Sequence, residues 1–291
     1  MPKYIHFIDP TTLRLRIFRL FSIFVHMNNM RYIIQRIAFL LPFLLFILQG
    51  IAIHAQGRRS SSSKKLEVPL YEEAPYKQHI VHKGFELVFD ENARIPEWTA
   101  YELTAEETEG TAPRGRHYDL DPEVRGIQGD NDDYRNSGWD RGHMVPAGDM
   151  KLDDQMMRES FYFSNICPQN RNLNGGDWKS LEELCRIYAR KYGKVYIVCG
   201  PIIGKNMFGR LGAHQIVIPD AFYKVLLVET ASGYEAIGFI MNNEAGHRQL
   251  ATYVKTVDEI EEITGLNFFT LLPKKVERKV ESVYNLSVWN L

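Results

Sequence analysis

Asp140-Arg141-Gly142-His143-Met144-Val145-Pro146-Ala147-Gly148-Asp149-Met150 is the stretch from which the rest of the chain can be placed. Pro146 lacks an amide donor, and Gly142 and Gly148 favour irregular backbone, so the segment cannot continue a regular helix. A histidine held there, on a strand end or loop, can accept a proton near neutral pH. One Arg-Gly-His triplet is equally what a structural loop histidine looks like. The residues downstream decide between the two.

Those residues run Ser164-Asn165-Ile166-Cys167-Pro168-Gln169-Asn170-Arg171-Asn172-Leu173-Asn174-Gly175-Gly176-Asp177-Trp178, and on to Arg186. Pro168 and the Asn/Gly cluster mark a loop, and from about Asp177 a helical pattern takes over. Leu181, Leu184, Cys185 and Tyr188 follow i, i+3, i+4, i+7 spacing, which sends one face into the core. Asn174, Trp178, Glu182 and Arg186 are four apart, so they form a strip along one edge of that face. An amide, a carboxylate and a guanidinium are thereby lined up. The plain alternative is that Asn174 is a helix cap and Glu182–Arg186 a solvated pair contributing about 0.2–0.5 kcal/mol. Trp178 borders the apolar face and reads as core packing rather than base stacking.

Together the two segments resemble the DNA/RNA non-specific endonuclease family, which includes secreted bacterial nucleases and mitochondrial endonuclease G. The resemblance rests on Asp140-Arg141-Gly142-His143, Ser164-Asn165, Asn174, Trp178, Leu181-Glu182 and Arg186, in order and at the family's spacing. His82-Lys83-Gly84-Phe85, Trp98 to Leu103, Gly200-Pro201, Ile218-Pro219 with Phe222-Tyr223-Lys224, and Thr256 to Glu261 with Thr264-Gly265 extend it. It covers about residues 66–275. It implies an α+β fold with a central antiparallel sheet, flanking helices and an active site on a ββα-metal finger. On this sequence the finger would have a strand before Asp140, a return through Phe161–Ile166, and the helix carrying Glu182.

The resemblance also implies roles. His143 would be the general base, Asn174 the direct ligand of a divalent ion, most simply Mg²⁺ with Mn²⁺ as an alternative, and Glu182 would hold that ion's waters. Arg186 would contact the scissile phosphate, since a guanidinium fork suits phosphate oxygens. Arg116 matches a second phosphate-binding arginine, with Arg114 as the alternative. Arg141 either reaches phosphate or pairs locally. Asp140 orients a neighbour or closes a turn, and Asn165 anchors the loop that positions His143. One amide ligand suffices because Mg²⁺ keeps several waters. The expected activity is metal-dependent, sequence-non-specific cleavage of DNA and/or RNA. The other readings are a phosphodiesterase for non-nucleic substrates and a catalytically dead nucleic-acid-binding protein. Dimers are common in the family, so a homodimer is an option.

Charge adds no support for nucleic-acid binding. The 291 residues carry 35 Lys and Arg against 36 Asp and Glu, net −1, and residues 56–291 alone carry 29 against 35. Broad phosphate neutralisation calls for a basic protein; an enzyme that releases its products needs only a local positive cleft.

Ile37 to Ile53 is nearly all apolar, preceded by Arg31 and Arg36 and followed by His54-Ala55. That is a signal-peptide pattern with cleavage after Ala55. It predicts export to a periplasmic or extracellular space, with 30–55 as the signal. A membrane anchor through 37–53 is the alternative. Met30 would start a signal of ordinary length, leaving 1–29 as a mis-assigned upstream start. Residues 56–65, Gln-Gly-Arg-Arg-Ser-Ser-Ser-Ser-Lys-Lys, read as a flexible linker, and 66–291 as one endonuclease domain.

Strands are expected at Lys194–Cys199, Gln215–Ile218, Phe222–Val228 and Glu235–Met241, with helices near Asp177–Tyr192 and Val257–Thr264. Without regular βαβ alternation they suggest α+β rather than a doubly wound sheet. Cys167, Cys185 and Cys199 leave at least one thiol without an intrachain partner, and sequence cannot choose a bridge. His117, His214 and His247 lack partners at metal-ligand spacing.

Overall fold

The computed structural model describes residues 65–205 and 208–291, all within a unit spanning Arg58–Leu291. The signal or anchor segment 30–55, the start at 1–29 and nearly all of the 56–65 linker lie outside the described residues. Among the described residues no helix is long and apolar enough to cross a membrane.

Three strands come first: β1 (Lys77–Val81), β2 (Glu86–Asp90) and β3 (Ile95–Thr104). A one-turn helix α1 (Asn131–Tyr134) leads to β4 (Asp140–His143). Helix α2 (Asp154–Glu159) precedes β5 (Ile166–Gln169), the short α3 (Arg171–Gly175) and the long α4 (Asp177–Tyr192). Then come β6 (Lys194–Ile202), β7 (Arg210–Leu211), β8 (Ile216–Val217), β9 (Ala221–Thr230), β10 (Gly233–Asn242) and β11 (Val254–Lys255). Helices α5 (Val257–Thr264), α6 (Lys274–Ser282) and α7 (Leu286–Trp289) close the chain.

The fold is α+β. Its main sheet runs β1-β2-β3-β6-β9-β10-β11, and each neighbouring pair is antiparallel. Both faces are covered. Leu226 and Val228 pack with Trp178 and Leu181 of α4 on one face; Val225 and Leu227 pack with Val257, Ile260 and Phe268 on the other. Burial on both faces explains why Val225–Val228 of β9 reads as a continuous apolar run rather than an alternation. Each large apolar side chain buried this way contributes about 1.5–3 kcal/mol. Helix α5 is delimited by local chemistry: Thr256 and Glu259 form a reciprocal capping box, and Gly265 ends it in the left-handed region at φ 72°.

The strands expected at Lys194–Cys199, Phe222–Val228 and Glu235–Met241 and the helices at Asp177–Tyr192 and Val257–Thr264 are present; the strand expected at Gln215–Ile218 shrinks to Ile216–Val217, because Gln215 turns at φ 52°. Sequence reasoning missed α6, whose nine residues offer only two valines to any apolar stripe. The expected finger strands are shifted. β4 begins at Asp140 itself, and the return starts at Ile166, opposite His143. The reason is the turn at Phe163–Asn165, which uses up the residues expected to be extended.

Helices α5 and α6 bring Asp258, Glu261 and Glu281 together, with carboxylate oxygens within 4.8 Å of one another. Burial is the main cause that lifts Glu261 to about 7 and Glu281 to about 8. A carboxyl whose folded pKa is raised favours the fold while protonated. That stability is present below about pH 4.5 and is lost as pH rises through 7–8. We therefore expect the melting temperature to fall between pH 5 and 9, and Glu281→Gln to flatten the fall. Identical pH profiles for the two proteins would contradict this.

Candidate active site

Strand β4 pairs with β5 in a two-stranded ribbon, with Asp140 opposite Gln169 and His143 opposite Ile166. Gly142 is needed here for closeness rather than irregular backbone: a Cβ there would lie 2.2 Å from the Gln169 Oε1. Past His143 the chain is fixed by Asn165. Its Oδ1 accepts from the Val145 amide at 2.9 Å, and its Nδ2 donates to the carbonyls of Val145 and Ser160 at 2.9 and 2.8 Å. That is the anchoring expected of this residue.

His143 is buried, with Phe161 edge-on at 4.8 Å between ring centres and Tyr118 at 5.5 Å. Its Nε2 has no hydrogen-bond partner. Burial first, then the charge of Arg114, push its pKa down to about 3. The ring is therefore neutral at physiological pH and available as an acceptor.

The chain after β5 does not enter one continuous helix. Asn170 caps α3, and the backbone breaks at Gly176 with φ −110° and ψ −108° before α4 starts. Asn174 thus belongs to α3, not to the helix that carries Trp178, Glu182 and Arg186, which corrects the single-strip expectation. The break is tied down by Asp177, whose carboxylate accepts from the His247 and Arg248 amides and the Tyr253 hydroxyl. Trp178 is fully buried, as expected of a core residue, and its indole N–H donates to the His143 carbonyl at 3.3 Å.

These elements enclose a cavity of about 400 Å³ lined by His143, Asn174, Glu182, Arg186, Arg141 and Arg114, among others. Five of the six residues singled out from sequence meet there. Arg116 is exposed and is not among the lining residues; Arg114, the alternative, is. The 111–118 segment runs so close to Phe161 that a Cβ on Gly115 would sit 2.7 Å from its ring, and this places Arg114 over that ring at 5.4 Å. Lys179, one helical turn before Glu183, also lines the cavity and was missed: an exposed lysine on a helix carries no sequence signal of its own.

Each charged group has a defined hold. Arg186 donates to Asp149 at 2.7 Å, and Asp149 is fully buried and also accepts from the Tyr101 hydroxyl at 2.8 Å. Burial lifts the Asp149 pKa, against the pull of Arg186. Gly148 lets the chain pass over this pair, since a Cβ there would be 2.9 Å from Arg186 Nη1. Arg141 lies over the rings of Tyr118 and Tyr134 at 5.2 and 5.5 Å, an arrangement that keeps a guanidinium charged and extended. Asp140 takes Arg171 at 3.1 Å on one oxygen and the Asn174 Nδ2 at 3.2 Å on the other. With its N–H end so engaged, Asn174 has its carbonyl left as the free pole. Glu182 is half-buried, and desolvation raises its pKa to about 7.

A neutral imidazole with an orphaned nitrogen, a free amide carbonyl and a carboxylate thus share a cavity rimmed by three arginines and a lysine. The oxygen donors suit a hard divalent cation, and the rim suits a phosphate anion. Positive charge is concentrated here although the chain as a whole is near neutral.

All three cysteines are buried free thiols, which answers the pairing the sequence left open. One further expectation changes. His214, expected to lack partners, bonds Asp133 at 2.8 Å and lies near Asp130; those partners are remote in sequence, where ligand spacing cannot reveal them.

A sequence model of the DNA/RNA non-specific endonucleases matches residues 63–275. The mitochondrial nuclease EXOG of Xenopus laevis is 35% identical over 215 residues, 68% of this chain and 59% of that protein. Human mitochondrial endonuclease G is 31% identical over 201 residues, 64% of this chain and 67% of that protein. A crystal structure of the EndoG/EndoGI complex contains a chain that superposes with a TM-score of 0.63 at 28% identity, covering 68% of this chain and 88% of that one. The chain spans about three-fifths of the length of the EXOG relatives it matches. Both relatives named are mitochondrial, which overturns the expectation of export. The physical reason lies in composition: residues 1–55 hold six basic residues and one acid, and a basic, acid-poor leader fits organelle import as well as secretion.

Proposed function

Since this chain belongs to the DNA/RNA non-specific endonuclease family, we propose that it is a metal-dependent, sequence-non-specific endonuclease hydrolysing phosphodiester bonds of DNA, RNA or both. The observation that carries the reading is the His143 ring: buried, neutral, with Nε2 unpartnered, in a cavity whose rim is cationic.

In this reading His143 takes a proton from the attacking water. A pKa near 3 belongs to the substrate-free protein, where only Arg114 faces the ring as a charge. A phosphodiester anion beside it opposes Arg114 and raises the basicity of the imidazole. Asn174, through its carbonyl, would hold Mg²⁺ or Mn²⁺, with Glu182 accepting from the ion's hydration shell. When bound, the ion supplies positive charge at the scissile phosphate and acidity for the departing oxygen. Arg186 would clamp the phosphate and is kept extended by Asp149. Arg114 and Arg141 would contact flanking phosphates, and Arg116 is set aside in favour of Arg114. Asp140 serves as the residue that orients Asn174. We take residue 66 as the start of the nuclease domain, and a homodimer as its assembly.

Digestion of plasmid DNA and of RNA with Mg²⁺, Mn²⁺ or EDTA tests the reading. Cleavage of both polymers that EDTA abolishes is the expected result. Hydrolysis of bis(p-nitrophenyl) phosphate without cleavage of either polymer would favour a non-nucleic substrate, and undiminished cleavage in EDTA would remove the metal from the scheme.

A further inference from the structure

Lys224 is a lysine in the wrong place for a solvated charge. It lies in the middle of β9, opposite Cys199 on β6 and Phe239 on β10. It is fully buried, and its Nζ has no hydrogen-bond partner. The ammonium sits 4.5 Å from the centre of the Trp178 ring, on the sheet face against which α4 packs. An isolated buried charge is costly and is retained only where another charge compensates it.

The compensating charge can be found by elimination. Asp149 is already engaged by Arg186 and by Tyr101. The remaining carboxylate on this face of α4 is Glu182, and no hydrogen bond among the described residues engages it. Glu182 faces Lys224 from β9, Asp149 from the turn after β4, Arg186 from its own helix, and Arg114 from the 111–118 segment. Of these charges Lys224 acts on it most strongly, ahead of Arg186 and Arg114. Lys224 in turn faces Cys199, Cys185, Glu182 and Asp149.

We propose that Lys224 is a positioning residue of the active site: the fixed counter-charge, buried beneath α4, that favours the ionised form of the Glu182 carboxyl at the cavity against the cost of its burial. The role rests on the nuclease reading given above. The ammonium also braces Trp178, whose indole holds the His143 carbonyl, so one buried charge bears on both His143 and Glu182.

A stability cycle and a titration test this without using catalysis. Glu182→Gln should lower the melting temperature, because it strands the Lys224 ammonium; adding Lys224→Met, close in volume and uncharged, should restore it. In carbon-detected NMR, Lys224→Met should move the Glu182 titration upward by about 1–3 pH units, with the Glu182 resonance identified by its absence in Glu182→Gln. In cleavage assays Lys224→Met should lose about fivefold or more at pH 7 and regain activity as pH rises toward 9, while adding almost nothing in a Glu182→Gln background. Additive melting-temperature changes in the cycle would overturn the proposal. So would a Glu182 titration that Lys224→Met leaves in place. Because neither measurement needs a substrate, failure of the nuclease reading would show separately, as a wild-type protein that cleaves nothing.

Discussion

Replacing His143 with alanine is expected to lower cleavage of DNA and RNA by about 10²–10⁴-fold while leaving the fold intact. The ring offers the one buried, neutral acceptor nitrogen in the cavity that lacks a partner. Of the other lining side chains the arginines and Lys179 are cations, Asn174 is not a base, and Glu182, raised to about 7, is assigned to the hydration shell of the ion. The loss should appear in turnover more than in KM, because the phosphate contacts proposed for Arg186 and Arg114 do not involve the imidazole. The fold should survive because Val145 is held through Asn165 and Trp178 bonds the His143 backbone carbonyl, neither of which uses the imidazole. Turnover, KM and the melting temperature together decide the matter. Turnover within twofold of wild type would reassign the base.

The second large effect is on stability as well as activity. Arg186→Met should cost about 3–5 kcal/mol, since it leaves the fully buried Asp149 carboxylate without the cation that bonds it at 2.7 Å. The Tyr101 hydroxyl and the Lys224 ammonium, which faces Asp149 without a hydrogen bond, do not replace that charge-assisted bond. The carboxyl would respond by taking up a proton, so the loss should be larger at pH 8 than at pH 5, where protonation relieves it. Adding Asp149→Asn should restore most of the stability, because a neutral amide in the same shape needs no counter-ion. It should not restore cleavage, since the phosphate clamp proposed for Arg186 is still missing. Urea unfolding of the two variants at both pH values, beside a cleavage assay, separates these roles. If the double variant stays as unstable as Arg186→Met, Asp149 is not the reason Arg186 matters to the fold.

Much of this site is legible from the chain itself. His143, Asn174, Glu182, Arg186 and Arg141 all line one cavity, and α4 and α5 span the residues their apolar spacing marks. Such features are local: helical periodicity, capping chemistry and a glycine-flanked histidine depend on neighbours within about one or two turns. Other features were not legible. Asn174 stands on its own short helix because Gly176 breaks the chain where Asp177 must reach the 247–253 segment. Arg114 rather than Arg116 meets the cavity because Phe161 lies under Gly115. The destination of the amino-terminal segment was misread because export and organelle import draw on overlapping compositions.

The sequence by itself determined which chemistry is available: an imidazole, an amide, a carboxylate and guanidinium groups, on elements whose type follows from apolar spacing and breaks. Only the tertiary structure decided the state of those groups. A histidine at about 3 and a glutamate at about 7 are consequences of desolvation and of charges such as Arg114 and Lys224 that arrive from distant strands and loops. Electrostatic free energy depends on distance in space and on burial, and neither is written in the order of residues along the chain.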